Sequence, residues 1–471
     1  METGERKAEV GLERLKPQGF VGAAVAAALV GLSAPASGAF FQIAENSASG
    51  IGNAFAGGAA AAEDASAVWY NPAGMTRLKD AQFLAGGHYI HPSFKASEVS
   101  ARVPALNQSI SGGGGDAGEA ALVPNIYASF PVSQRFAIGA GVNAPFGLAT
   151  SYDETWAGRY YALRSDIKSV NLNLAGAFKF HDALSLGVGV NRQHLEAELT
   201  QAVDFATLCT AVVFLIPNTC GVSGGFGHPN SPNDGKAKVS AKGDTWGYNA
   251  GVLSQFGDTR IGLAYRSKMK YKLDGTFDIT EGVNVPAALL TNPNFRLVDS
   301  AASAEVTLPA TASLSVYQNL GSAWAIMADF TRTYWSVLPE LRIKFDSGQA
   351  DQVVTLNLKD VSRYSLGATY KPNASWTLRT GAALDKSPVS DPTNATPRLP
   401  DSDRRWLSLG AGLQASKKLN FDFAYTHIKL AGSTVTKTDG GLGTENQFKG
   451  DLTAKYTGSV QIFSAQARWA F

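Results

Sequence analysis

From Gln82 to the C-terminus the chain is divided into runs of alternating apolar and polar residues by links that are, in strict turn, tight and long. Tight links fall near Ser133-Gln134, His181-Asp182, Gly257-Asp258, Asn319-Leu320-Gly321, Pro372-Asn373-Ala374 and Ser416-Lys417-Lys418. Long ones cover roughly 95–121, 149–166, 201–238, 281–302, 346–359, 386–403 and 431–456. Period two means a strand with one apolar face. Strands joined alternately by small turns and large loops make an up-and-down barrel with turns at one rim and loops at the other. The expected fold is therefore an all-β membrane protein, an antiparallel barrel of about fourteen strands. An even count puts both ends of the barrel on the turn side. Around Ser169–Phe180, Val170, Leu172, Leu174, Phe178 and Phe180 share one face, and Ser169, Asn171, Asn173 and Lys179 the other. Around Arg260–Leu273 the period places Ile261, Leu263, Tyr265, Met269 and Tyr271 together, opposite Arg266, Lys268, Lys270 and Lys272. A soluble sandwich would show the same period with its apolar face turned inward; the alternation of links favours the barrel.

Composition agrees. Charged residues make up 17% of the 471 residues, against roughly 25% in soluble domains. The formal net charge of +2 gives no electrostatic case for nucleic acid. The N-terminus carries Arg6, Lys7, Arg14 and Lys16, then an apolar run from Phe20 to Leu32 and small residues through Ala39. That run is too short for a transmembrane helix and reads as a secretory signal over 1–39, with cleavage after Ala36 or Ala39. The long basic flank also holds Glu2, Glu5, Glu9 and Glu13, which points to a true start further along the chain.

Between signal and strands lies Phe40–Met75, rich in Gly, Ala and Ser and nearly free of bulky aliphatics. It cannot bury enough apolar surface to fold alone. Placed before the first strand, it reads as a hatch (40–80) folded back into the lumen of the barrel (81–471). GIGNAFAGG within it follows no strand, so a phosphate-cradling loop is excluded. Asn71-Pro72-Ala73 is by itself an ordinary turn signal. The third strand, Phe136–Tyr152, crowds Gly139, Gly141, Pro145 and Gly147, a pattern that either manages curvature or marks a kink.

The hatch resembles that of the FadL/TodX family of outer-membrane transporters for hydrophobic compounds. The resemblance rests on Phe41-Gln42, Ser49-Gly50, Gly52, Ala54-Phe55, Gly57, Asp64-Ala65 and Asn71-Pro72-Ala73. It continues in Asn171-Leu172-Asn173-Leu174, Tyr265-Arg266-Ser267, Arg379-Thr380-Gly381, and Pro400-Asp401 with Arg404 and Trp406-Leu407-Ser408. It implies passive transport of hydrophobic small molecules, foremost long-chain fatty acids, past a plug and sideways into the membrane. The exit would be an inward bend of the third strand, with which Gly147 aligns. It also implies a substrate pathway through Phe41, Asn71, Pro72, Ala73, Pro145 and Gly147, the tripeptide lying beside the exit. Fatty-acid-handling members aim basic side chains at the ligand carboxylate, and at those positions this chain has Gln201 and Val354. Uncharged or aromatic hydrocarbons are the alternative substrates. A general porin for polar solutes needs no hatch, and no Ser-His-acid constellation supports an outer-membrane enzyme.

Cys209 and Cys220 flank AVVFLIPNT in the longest loop, and at that spacing in an oxidising compartment they read as a disulfide. Val213, Phe214, Leu215 and Ile216 between them form either an external apolar landing site or a loop cap. No His spacing suits a metal, and no cofactor is expected. Expected partners are the hydrophobic ligand, outer-membrane lipid and lipopolysaccharide. The last strand, with Phe463, Ala465, Ala467, Trp469 and Phe471 on one face, looks like the recognition strand of the barrel assembly machinery. The expected state is a monomer in the bacterial outer membrane.

Overall fold

A computed structural model describes residues 40–104, 107–213, 234–281, 285, 290 and 296–471; the signal region 1–39 lies outside them. Fourteen antiparallel strands close on themselves. They are β1 (Gln82–Val103), β2 (Ala121–Pro131), β3 (Phe136–Asn143 and Gly147–Ser151), β4 (Arg164–His181), β5 (Leu184–Val203), β6 (Gly235–Phe256) and β7 (Thr259–Arg266 and Met269–Thr280). Then follow β8 (Ser300–Leu308 and Thr311–Leu320), β9 (Trp324–Thr333 and Glu340–Phe345), β10 (Gln352–Thr355 and Val361–Tyr370), β11 (Trp376–Asp385), β12 (Arg404–Gln414), β13 (Leu419–Leu430) and β14 (Asp451–Ala470). Each strand pairs with the next, and β1 pairs with β14 from Gln82↔Ala470 to Arg102↔Asp451, which seals the barrel. The tight links are the turns at one rim. The first long loop is shorter than the sequence indicates, because β1 runs on to Val103.

Side-chain direction separates barrel from sandwich. Leu174 is 52% and Leu366 69% exposed on the outer wall, whereas Asn171 and Asn173 are 0% exposed inside. An apolar belt facing outward around a polar interior is stable only in lipid. One assignment from the period is corrected. Ile261, Leu263 and Tyr265 face out, but Met269, Tyr271 and Leu273 are buried inside, and Lys268, Lys270 and Lys272 are exposed. The cause is a break at Ser267–Lys268: β7 pairs Arg266 with Asn249 but Asp274 with Lys242, a one-residue shift against β6. Such a bulge exchanges inner and outer faces. β8 breaks in step at Pro309–Ala310, so the lower lumen is polar and the upper lumen apolar.

The hatch fills the lower lumen with short pieces: α1 (Ala48–Ile51), α2 (Ala67–Tyr70) and a 3-10 turn (Pro72–Arg77). Ser47 caps α1 by accepting from the Gly50 N–H. Asn71 caps the 3-10 turn by accepting from the Ala73 N–H, with Pro72 at the first position. Having few large side chains, the hatch meets the wall backbone-first. A Cβ on Gly381 would stand 2.2 Å from the Asn53 carbonyl, and one on Gly262 2.0 Å from Ala59 O. Buried polar contacts complete the anchorage. Arg379 pairs with hatch Glu63 (3.0 Å) and with Asp422 of β13 (2.8 Å). Gln466 of β14 donates to hatch Asp64 (3.1 Å).

Candidate substrate pathway

The ladder between β2 and β3 is interrupted beside the start of the hatch. β2 and β3 pair up to Ile126↔Val142, and beyond the interruption the segment before β2 rejoins β3 at the Gly118↔Thr150 bridge and through Ser151 N–H to Ala117 O (3.0 Å). Pro124 and Pro145 flank the gap, and neither has an N–H to offer. β3 stays attached to β4 across its own break, where the Ser169 hydroxyl accepts from Phe146 N–H (2.9 Å) and donates to Phe146 O (2.6 Å). The free edge of β3 is taken by the start of the hatch. Gln42 bridges Phe146, Ile43 N–H donates to Pro145 O (2.8 Å), and Gly147 N–H donates to Phe41 O (3.0 Å). Asn143 Nδ2 donates to Asn46 Oδ1 (3.1 Å). Residues 40–46 thus form a latch that satisfies backbone groups the broken strand leaves unpaired.

Above the latch lies an apolar cavity walled by Leu148, Ile167, Leu195, Val239, Leu273, Val306 and Ile343 and floored by Phe40 and Phe41. Those two rings pack with Trp335 at 5.3 and 5.1 Å and continue to Phe146. Arg398 stands at the polar end. Its Nη1 donates to Thr200 O (3.1 Å), Ser165 Oγ (3.4 Å) and Arg164 O (3.4 Å), and its Nη2 to Gln201 Oε1 (2.9 Å). All these acceptors are neutral. Among the described residues the buried guanidinium has no carboxylate partner and its Nε no hydrogen bond. Burial lowers its pKa to about 10, so it remains a cation at neutral pH.

Below the latch the lumen changes character. A second cavity there is of mixed character, with Gln42, Asn249, Arg266, Arg363 and Asp385 facing Ile43, Trp69, Tyr70 and Pro72. An alkyl chain entering it would meet charged and amide groups that the upper cavity, Arg398 apart, lacks, and the hatch anchored by Glu63 and Asp64 lies in the lower lumen.

The family model for outer membrane transport proteins of the OMPP1/FadL/TodX type matches residues 27–471. The chain belongs to this family. Outer membrane protein P1 of Haemophilus influenzae is 33% identical over 92% of this chain and 95% of that protein. The long-chain fatty acid transport protein of Escherichia coli K12 is 30% identical over 91% and 96%. A crystal structure of a Pseudomonas aeruginosa FadL homologue superposes with a TM-score of 0.81 at 26% identity, covering 92% of this chain and all of that one. The toluene transporter TodX of Pseudomonas putida shares the fold, with a TM-score of 0.63 at 15% identity over 93% and 99%. This FadL/TodX-family protein is an outer-membrane channel for hydrophobic compounds, and the family consists of transport channels, not enzymes.

In this family member Phe41, Pro145 and Gly147 converge at the interruption, as above. The Asn71-Pro72-Ala73 turn does not join them. Asn71 Nδ2 donates to Ala59 O (2.7 Å) and Val252 O (3.0 Å), and Ala73 lies against Gly187 of β5, where an added Cβ would meet its N at 2.3 Å. Pro72 lines the lower cavity together with Gln42, Ile43 and Ala44. Val354 lines the apolar cavity, and Gln201 borders it through Arg398. Cys209 is buried and disulfide-bonded in α3 (Phe205–Val213); Cys220, Phe214, Leu215 and Ile216 and the side chain of Val213 lie outside the described residues. His88 bridges Ser464 (2.7 Å) and Asn125 (2.8 Å) inside the wall. Arg398 escaped sequence reading because it sits in an aperiodic loop, and Glu45 because one carboxylate in a small-residue hatch carries no pattern.

Proposed function

We propose that the channel carries long-chain fatty acids, binding the alkyl chain in the apolar cavity and the carboxylate on Arg398, and releases them sideways between β2 and β3 when the latch withdraws. The observation that carries this reading is a buried guanidinium without an acidic partner at the end of an otherwise apolar cavity. Leaving such a charge uncompensated is costly, and an anionic head group supplies what the protein does not. An aromatic hydrocarbon would fill the walls and leave Arg398 unpaired. Relatives named for long-chain fatty acid transport support the same choice. The reading also takes the channel to be a monomer among outer-membrane lipid and lipopolysaccharide, inserted by the assembly machinery through its aromatic last strand. The test is Arg398→Leu in purified channel. Oleate affinity should fall about 10- to 100-fold, the worth of a charge-assisted pair, while oleyl alcohol binds as before. Unchanged oleate affinity would overturn the proposal.

A further inference from the structure

Gln201, near the end of β5, stands between two spaces. Outward is a vestibule of about 1140 Å³ lined by Gln201 and Gln352 among others; inward is the apolar cavity with Arg398 and Val354. Its single amide oxygen accepts twice, from Arg398 Nη2 at 2.9 Å and from Gln352 Nε2 at 3.0 Å. Gln352 opens the short strand Gln352–Thr355, which hangs on the outer half of β9 and is followed by a break in β10. One oxygen therefore ties the head-group cation to a lightly held strand at the rim.

We propose that Gln201 is a built-in stand-in for the substrate carboxylate, and that its bond to Gln352 is a gate which an anionic ligand opens and a neutral one does not. The inference rests on the assignment of Arg398 to the substrate head group. A guanidinium presents Nε and Nη2 along one edge, a fork that matches the two oxygens of a carboxylate. Here Nε is free and Nη2 holds only a neutral amide. An arriving carboxylate takes both positions, making two charge-assisted bonds in place of one weaker bond. Gln201 then loses the contact that orients it. Its remaining bond to Gln352 joins two part-exposed neutral amides, which compete with water for every partner. An alkanol or hydrocarbon of the same length has no anion to offer Arg398, so the bridge stays in place against it. The amide of Gln201 thus adds selectivity by making the ligand displace it.

The experiment compares wild type, Gln201→Leu and Gln352→Leu as full-length channels in nanodiscs, with oleate and oleyl alcohol as probes. Heat-modifiable migration on gels confirms that each barrel is folded. Gln352→Leu should admit oleyl alcohol at least fivefold faster and leave oleate affinity nearly unchanged. Gln201→Leu should admit the alcohol equally fast and also bind oleate about tenfold tighter, since no competitor remains on Arg398. Wild-type rates for the alcohol in both variants overturn the gate. Unchanged or weaker oleate binding in Gln201→Leu overturns the stand-in role. Failure of the underlying head-group assignment is read separately, as retained oleate affinity in Arg398→Leu.

Discussion

The position of Glu45 predicts that the latch is sensitive to pH. Glu45 lies between the two points that hold the latch on β3, Ile43 to Pro145 and Asn46 to Asn143. It is 0% exposed, and among the described residues no side chain hydrogen-bonds its carboxylate. Burial raises its pKa from 4.5 to about 8, against the opposing pull of its own backbone N–H, of Arg404 on β12, of Arg363 on β10 and of the Ala44 backbone. A released latch returns the group to water and to its ordinary value. The closed state therefore binds a proton that the open state gives up, and closure is most favourable at low pH. It weakens as pH rises from about 4.5 to about 8, by up to ~1.4 kcal/mol per unit. Between pH 5 and 7 the loss is roughly 2.5 kcal/mol, or a 50- to 100-fold rise in the open fraction. A Gln42→Cys variant in proteoliposomes reports opening as the rate of thiol labelling, corrected for thiolate fraction with a free peptide. Labelling should climb steeply over that range, and Glu45→Gln on the same background should abolish the climb. A pH dependence that survives Glu45→Gln, or opening that declines with rising pH, would refute the reasoning.

Other consequences concern wall, plug and loop. Gly147→Arg should lower uptake of a labelled fatty acid without lowering outer-membrane levels, because Gly147 is buried where its N–H holds Phe41 O of the latch; normal uptake would argue for a route straight down the lumen. Gly381→Val should loosen the hatch, since its Cβ has no room beside Asn53, and single-channel conductance should rise towards that of a variant lacking residues 40–75. If the second cysteine of the chain, Cys220, is the partner of Cys209, neither thiol will label in non-reduced protein, and reduction will loosen the loop without unfolding the barrel.

The architecture was legible because lipid and lumen impose opposite demands on successive residues. That rule wrote Leu172 and Leu174 against Asn171 and Asn173, and the alternation of links gave the strand number. The rule failed at Ser267–Lys268, where a bulge exchanges faces without any Gly or Pro to announce it. The kink was visible in Pro145 and Gly147, but its partner was not. What seals the gap is the backbone of Phe41–Ile43, and backbone hydrogen bonds leave no trace in side-chain type. Likewise the glycines that seat the hatch are distributed over the wall strands and come together only when the barrel closes. Arg398 and Glu45 matter through what they lack, a counter-ion and a side-chain hydrogen-bond partner, and a missing partner is a property of three dimensions.

Sideways release through the latch is most directly tested by tying the latch down. Gln42 and Phe146 face each other across an antiparallel bridge, and directly opposed residues in such pairs stand about 4.5–5.5 Å apart at Cα, within reach of a disulfide. In Gln42→Cys/Phe146→Cys channels the oxidised form should bind oleate normally yet fail to pass it into the membrane of a proteoliposome. Reduction should restore passage, with wild type under the same reductant as control. Passage at the wild-type rate with the disulfide formed would contradict the lateral route.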